Sequence, residues 1–196
     1  MKTKMLGILA AGAALLTGCL VTSVYPFYLE KDVVFDPALL GTWQKAGQTD
    51  EHWKFERDQG NGYRLTVESG GKPSEAVGHL FKLQGQRFLD LCASDWKEDI
   101  QPAPVPSHLL ARVEQITPTV KMAFLDYDWL SKLLAADPQA LRHIVIKTGE
   151  RPEDHRLVLT ADTAELQQFV LKHLKTEDAW NGGLGLETLK ADSKTR

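Results

Sequence analysis

The chain has 196 residues, 43% of them hydrophobic and 25% charged, a length and balance that suit one globular domain with a real core and exclude a disordered chain. Its formal charge is −3, with Lys and Arg spread along the sequence. It therefore lacks the basic footprint that a phosphate backbone requires, and nucleic acid is not an expected partner.

The N-terminus comes first in chain order. Lys2 and Lys4 precede an apolar run from Met5 to Leu16, which stops at Thr17 and Gly18. A membrane span needs about 20 apolar residues, so this run is too short to cross; a basic start, a short apolar stretch and small residues are the layout of a secretory signal. The four residues Leu16-Thr17-Gly18-Cys19 resemble the lipobox of bacterial lipoproteins, in which the signal is cut between Gly18 and Cys19. That resemblance implies a diacylglycerol thioether on the Cys19 sulfur and, in many bacteria, a further acyl chain such as palmitate on its freed amine. The competing reading is an ordinary cleaved signal with an incidental cysteine. At roughly 0.8 kcal/mol per buried CH₂, two or three long chains anchor far more firmly than one. No cofactor beyond this lipid is expected.

Removing residues 1–18 takes Lys2 and Lys4 from the 23 basic side chains and leaves the 26 acidic ones, so the formal charge falls from −3 to −5. Lipid rather than charge would hold such a protein to a membrane. Leu20 stands where an inner-membrane retention signal would place Asp in enteric bacteria, so the resemblance favours a lipid-anchored cell-envelope location, on the outer membrane facing the periplasm if the cell has one. With Cys19 acylated, Cys92 has no partner within the chain, and in "RFLDLCAS" it is expected as a small buried hydrophobe.

Residues 19–37 form the expected tether. Its aromatics, Tyr25, Phe27 and Tyr28, suit either the headgroup level of a bilayer or packing on the body. The body is expected over residues 38–178, with a flexible tail over 179–196.

Within the body, alternation of apolar and polar residues predicts strands: "GTWQK", "HWKFERD", "YRLTVES", "EAVGHLFKLQ", "QRFLDLCAS", "HLLARVEQI", "TVKMAFLD", "RHIVIKTG" and "HRLVLTA". Asn61-Gly62 between the second and third predicts a hairpin with a type I′ turn. "DYDWLSKLLAAD" predicts a helix that starts on Asp and stops at Asp137-Pro138. "DTAELQQFVLKHLK" predicts a second, with Asp162 and Glu165 at capping-box spacing and Leu166, Phe169, Val170, His173 and Leu174 on one stripe. The segment 95–106, with Pro102, Pro104 and Pro106, predicts an extended strap, with Trp96 its most prominent side chain. The fold class is mainly β: an antiparallel meander with an inserted helix and a C-terminal helix, either a small barrel or a β-sandwich.

Gly41-Thr42-Trp43, preceded by Asp36-Pro37, resembles the G-x-W entry of lipocalins and related calycins. The resemblance implies that Trp43 packs across the closed end of a barrel and that an arginine from a late strand, here Arg156 by position, lies over it. The chain also resembles small uncharacterised bacterial envelope lipoproteins that combine such an entry with a closing "LTADTAELQQFVLKHL" segment, a likeness that carries no activity.

No nucleophile elbow, H-E-x-x-H helix, phosphate-binding loop or paired-cysteine metal motif occurs, so neither catalysis nor a metal is expected. His79 shares a strand face with Val77, Phe81 and Leu83; it is either a satisfied core histidine or a polar group fixing a ligand. Two functions follow. One is an anchored structural or interaction lipoprotein that meets another envelope protein. The other is a lipocalin-like binder of an apolar or amphipathic molecule such as a lipid, in a pocket bounded by Trp53, Phe55, Tyr63, His79, Phe81 and Phe124.

Overall fold

A computed structural model describes residues 21–45, 47–94, 106–147, 149, 155–180 and 182–188. The signal segment with Gly18, Cys19 and the proline segment up to residue 105, Trp96 included, lie outside the described residues.

The fold is mainly β. Among the described residues eleven strands are formed: β1 (Thr22–Ser23), β2 (Gly41–Lys45), β3 (Glu51–Arg57), β4 (Gly62–Ser69), β5 (Lys72–Leu83), β6 (Gln86–Ala93), β7 (His108–Gln115), β8 (Thr119–Phe124), β9 (His143–Lys147), β10 (His155–Leu159) and β11 (Gly182–Thr188). Two helices, α1 (Tyr127–Ala136) and α2 (Thr163–Lys172), follow β8 and β10. The strands pair in the order β6-β5-β4-β3-β2-β11-β8-β7-β1-β10-β9, and β6 also pairs with β7. All pairings are antiparallel except β1 with β10.

Each expected strand from "GTWQK" to "HRLVLTA" forms, because alternation and turn chemistry agree. Gly70-Gly71 and Gln84-Gly85, all at positive φ, supply the two central residues that a type I′ hairpin demands. The β3–β4 hairpin forms as well, but not with the expected turn. Gly62 donates its N–H to Gln59 O, so Gly60 and Asn61 are central, and only Gly60 has positive φ, the φ signature of a type II′ turn.

Two end segments carry strands too short or too glycine-rich to show alternation; in the first, packing on the body is the reading that holds for Phe27 and Tyr28, and the second departs from the expected tail. Residues 21–37 are built into the body. β1 pairs with β10 and β7, and Val21, Ser23 and Phe27 are buried. The expected tail is likewise part of the body as far as Thr188: a 3₁₀ turn at Glu177–Trp180 buries Ala179 and Trp180, and β11 inserts between β2 and β8.

Alternation along the strands divides the apolar side chains into two cores. The first gathers Leu39, Trp43, Trp53, Phe55, Tyr63, Leu65, Leu80, Leu89, Leu91, Val113, Met122 and Leu186 with their neighbours. The second lies on the opposite face of β5–β8, where Phe81, Phe88, Leu110 and Ala123 meet α1 through Leu130 and Leu134 and α2 through Leu166, Phe169 and Val170. Both helices are capped by the residue that precedes them. Asp126 accepts the Trp129 N–H at 2.7 Å and Asp162 the Glu165 N–H at 3.0 Å, satisfying donors that a helix start leaves unpaired.

Candidate functional site

The most heavily bonded polar arrangement in the body lies where the N-terminal segment crosses the sheet. β5, β6 and β7 are in register so that Val77, Cys92 and His108 form one row and His79, Asp90 and Leu110 the next, all on the helix-covered face. Asp90 is fully buried and its carboxylate is used twice: Oδ2 accepts the Phe27 N–H at 2.9 Å and Oδ1 lies 2.7 Å from His108 Nδ1. A buried carboxylate needs such partners. Tyr28 stacks on His79 with ring centroids 4.5 Å apart. Burial first, then the Asp90 charge, pushes the Tyr28 hydroxyl up to about 12.

From this point the segment is held on both sides. Thr163 of α2 donates its hydroxyl to Pro26 O at 2.8 Å, and the Gln167 amide donates to Phe27 O at 3.1 Å and to Asp32 at 3.0 Å. Further along, Val34 donates its N–H to Leu80 O, and the Tyr63 hydroxyl accepts from Asp36 N at 2.7 Å and donates to Asp36 O at 3.1 Å. Phe35 stacks on Tyr63 at 5.0 Å with the Arg57 guanidinium 4.6 Å above it. The 3₁₀ turn Pro37–Leu39 then delivers the chain to β2, where Trp43 Nε1 donates to Leu39 O at 2.9 Å.

Cys92, His108 and Asp90 have the residue types of a nucleophile, base and orienting carboxylate. Their electrostatics point another way. Burial, followed by the Asp90 charge, raises the Cys92 thiol above its ordinary value, whereas an activated cysteine has a depressed one. Cys92 is half-buried and free. Among the described residues no group of three His, Cys, Asp or Glu side chains is placed to hold a metal ion.

The six residues expected to bound a pocket are divided between the two cores. Trp53, Phe55 and Tyr63 belong to the first, with Phe124 partly buried against it. Phe81 belongs to the second, and His79 shares its face against Tyr28. Nor are Trp43 and Arg156 brought together. Trp43 is buried in the first core, while Arg156 is exposed on β10, which pairs only with β9 and β1. The arginine that does lie over an aromatic at the Trp43 end is Arg57.

Glu51 and Asp90, the two buried carboxylates among the described residues, are both absent from the expected site. Glu51 is buried at the start of β3 on the face of Trp53; it accepts from Trp53 Nε1 and from Lys45 Nζ, each at 3.0 Å. A charged residue inside a strand that is apolar on both faces, as Asp90 is in "RFLDLCAS", is the signal that locates such a residue.

Among the described residues, two open grooves on the outer surface flank the helices. The larger, about 690 Å³, is an open groove along α1 between Asp126, Trp129, Lys132, Asp137 and Asp178. Its carboxylates are occupied in part by capping: Asp126 holds the start of α1, and Asp137 accepts the Gln139 N–H. Beneath it His173 packs between Trp129 and Phe169, at 5.0 and 4.6 Å, with a buried Nε2 that has no hydrogen-bond partner. Burial and then the Lys172 charge lower its pKa from 6.5. The unfolded chain therefore binds this proton more readily, so stability is lost as pH falls through 6.5 toward the lower folded value. In His173→Phe, the stability difference between pH 7.5 and pH 5.5, read by urea unfolding, is expected to shrink.

No helix among the described residues is long and apolar enough to cross a membrane. Comparison with protein families, curated proteins and solved structures finds no match for the chain.

Proposed function

We propose that the chain is a lipid-anchored envelope lipoprotein with a structural or protein-interaction role, its body a small closed calycin-like barrel whose interior is filled. The cyclic pairing supports closure: the β6–β7 ladder gives each of β2–β8 and β11 an antiparallel neighbour on both sides, which leaves no free edge among the eight. The 3₁₀ turn Pro37–Leu39 and Trp43 lie at one end, as a calycin-like entry would.

One observation carries the choice between a filled and a hollow interior. The fifteen buried residues at the centre of the Trp53 core are 0–4% exposed, and partial exposure is confined to side chains packed against them, Val67, Ala76, Leu109 and Phe124 among these. A ligand chamber of several hundred Å³, the low end for such sites, would leave accessible surface on its lining side chains. Eight strands enclose just enough space for side chains to fill, and here they include two tryptophans, a phenylalanine and a tyrosine. The polar interior group Glu51 is committed to Lys45 and Trp53, and the neighbouring Cys92, His108 and Asp90 are read as structural, not catalytic.

The anchor rests on Leu16-Thr17-Gly18-Cys19, and Val21, two residues on, is already buried in the body. Cys19→Ala is expected to leave the membrane fraction and to lose the acyl mass from the mature N-terminus, read by fractionation and intact mass. Retention in the membrane would overturn the anchor. Native mass spectrometry of the extracted protein is expected to give the chain and its covalent lipid alone, and a non-covalent ligand would turn the reading to the lipocalin-like binder.

A further inference from the structure

Five large hydrophobic side chains are exposed among the described residues, and four of them, Tyr25, Ile144, Val145 and Ile146, lie on or beside the three-strand extension β1–β10–β9. β9 ends the strand order, so among the described residues it has a neighbour on one side only. Its three central residues are 43–49% exposed. Such a strand is a liability in water, and natural proteins usually blunt it with charge or cover it. A contiguous exposed apolar patch marks a surface that meets something.

We propose that this edge is the face the body lays on the bilayer that holds its anchor; the inference rests on the lipid-anchor reading of Cys19. Register makes the connection. Thr22 is opposite Val158, which is opposite Ile144, and neighbouring strands lie about 4.8 Å apart, so Ile144 is about 10 Å from Thr22 across the sheet. Cys19 is three residues before Thr22, a reach of at most about 11 Å. β1 is parallel to β10, so the chain enters it from the Arg156 end, where Arg156 is opposite Ile146 and His155 opposite Lys147. Because residues 21–37 are fastened to the body, at most three residue steps separate Cys19 from Thr22 of β1. Acyl chains on Cys19 would enter the bilayer beside Ile144 and Ile146.

Charge agrees with this occupant. Within the two strands themselves, β9 "HIVIK" and β10 "HRLVL" contain Lys147, Arg156 and no acidic residue; the acidic Glu150, Glu153 and Asp154 and the basic Arg151 fall in the sequence that joins them. Basic side chains beside apolar ones are suited to a headgroup surface, where the stem lies along lipid and the charge stays wet.

The test places the photoreactive residue benzoylphenylalanine at Ile146 or, as the control, at exposed Lys54 of β3, in the full-length protein processed in a bacterial envelope. After irradiation, the intact mass of the extracted protein is expected to show phospholipid adducts several-fold more often from position 146 than from position 54. Adducts from 146 to another protein, adducts at twice the chain mass that signal a second copy, equal lipid yields at both positions, or no adduct would each overturn the proposal. The same spectra report on Cys19 separately. Absent acyl mass on residue 19 fails the anchor reading, whereas an acylated Cys19 with no lipid preference at 146 fails this inference alone.

Discussion

Trp53→Ala is expected to cost about 3–5 kcal/mol of folding stability, the range for removing a large aromatic from a packed core. Trp53 is 3% exposed. It faces Trp43 directly across β2–β3, lies 6.4 Å from Phe55, and donates to Glu51. The substitution removes these contacts, leaves a void between strands that cannot close on it, and strips Glu51 of one of its two donors. With total stabilities of about 5–15 kcal/mol for a domain, the loss should be visible as a much lower urea midpoint with an unchanged slope. The same variant tests the filled interior. A void lined by apolar side chains stays dry and takes up small apolar molecules, so Trp53→Ala should be restabilised by added benzene and the native protein should not. A loss below about 1 kcal/mol, or benzene stabilising the native protein equally, would mean that Trp53 borders a space already present, contrary to the packing expected of a core residue.

The strands were legible because their hydrophobic period of two coincides with turn residues whose φ is constrained. What alternation cannot provide is the face each strand turns to which neighbour, and β5 shows why. Ala76, Gly78 and Leu80 alternate with Val77, His79, Phe81 and Leu83, so both faces are apolar. Only the pairings, such as Tyr63 with Gly78 and Leu80 with Leu89, decide that Leu80 joins the Trp53 core while His79 and Phe81 meet Tyr28 and the helices. Gly78 belongs to the same decision: a Cβ there would lie 3.3 Å from Leu91 and 3.5 Å from Leu89, so the glycine makes room for leucines from the next strand. The pocket expected from aromatic content alone therefore mixed residues from two cores.

β1 and β11 escaped for a different reason. Two residues, Thr22 and Ser23, have no period to show, and "NGGLGLET" reads as a linker because glycine is unfavourable in strands. Yet β11 is the strand between β2 and β8. Its stability comes from neighbours on both sides and from Leu186, which is wholly buried, not from its own propensity. Context of this kind is absent from a local window. The N-terminal segment is similar: nothing local in "VYPFYLEKD" distinguishes a tether from a strap, because its partners, Asp90, Thr163 and Gln167, lie 63 or more positions away.

Asp90→Ala is expected to cost about 3 kcal/mol, because it leaves the buried Phe27 N–H without an acceptor and His108 Nδ1 without its partner, and each orphaned buried group costs about 1–3 kcal/mol. The damage should be local before it is global. Phe27 keeps its bond to Gln167 and Pro26 its bond to Thr163, and Asp36 keeps its half-exposed pair with Arg87 of β6, but the buried tie to β6 at Phe27 is gone, so hydrogen exchange at residues 21–34 should accelerate more than at β3 or β4. Asp90→Asn separates charge from hydrogen bonding. Its carbonyl can still accept from Phe27, and a neutral imidazole can turn Nδ1 into an acceptor for the amide, so the asparagine variant should recover much of the lost stability and protection. If both variants were equally damaged, the charge and not the two bonds would be holding the segment. The consequence at the membrane follows from the same geometry. Cys19 acylation depends on the signal and not on Asp90, so Asp90→Ala should stay in the membrane fraction. However, a loosened segment puts slack between the lipid and the β9 edge, and the preference of a probe at Ile146 for phospholipid over the Lys54 control should fall in that variant and return in Asp90→Asn.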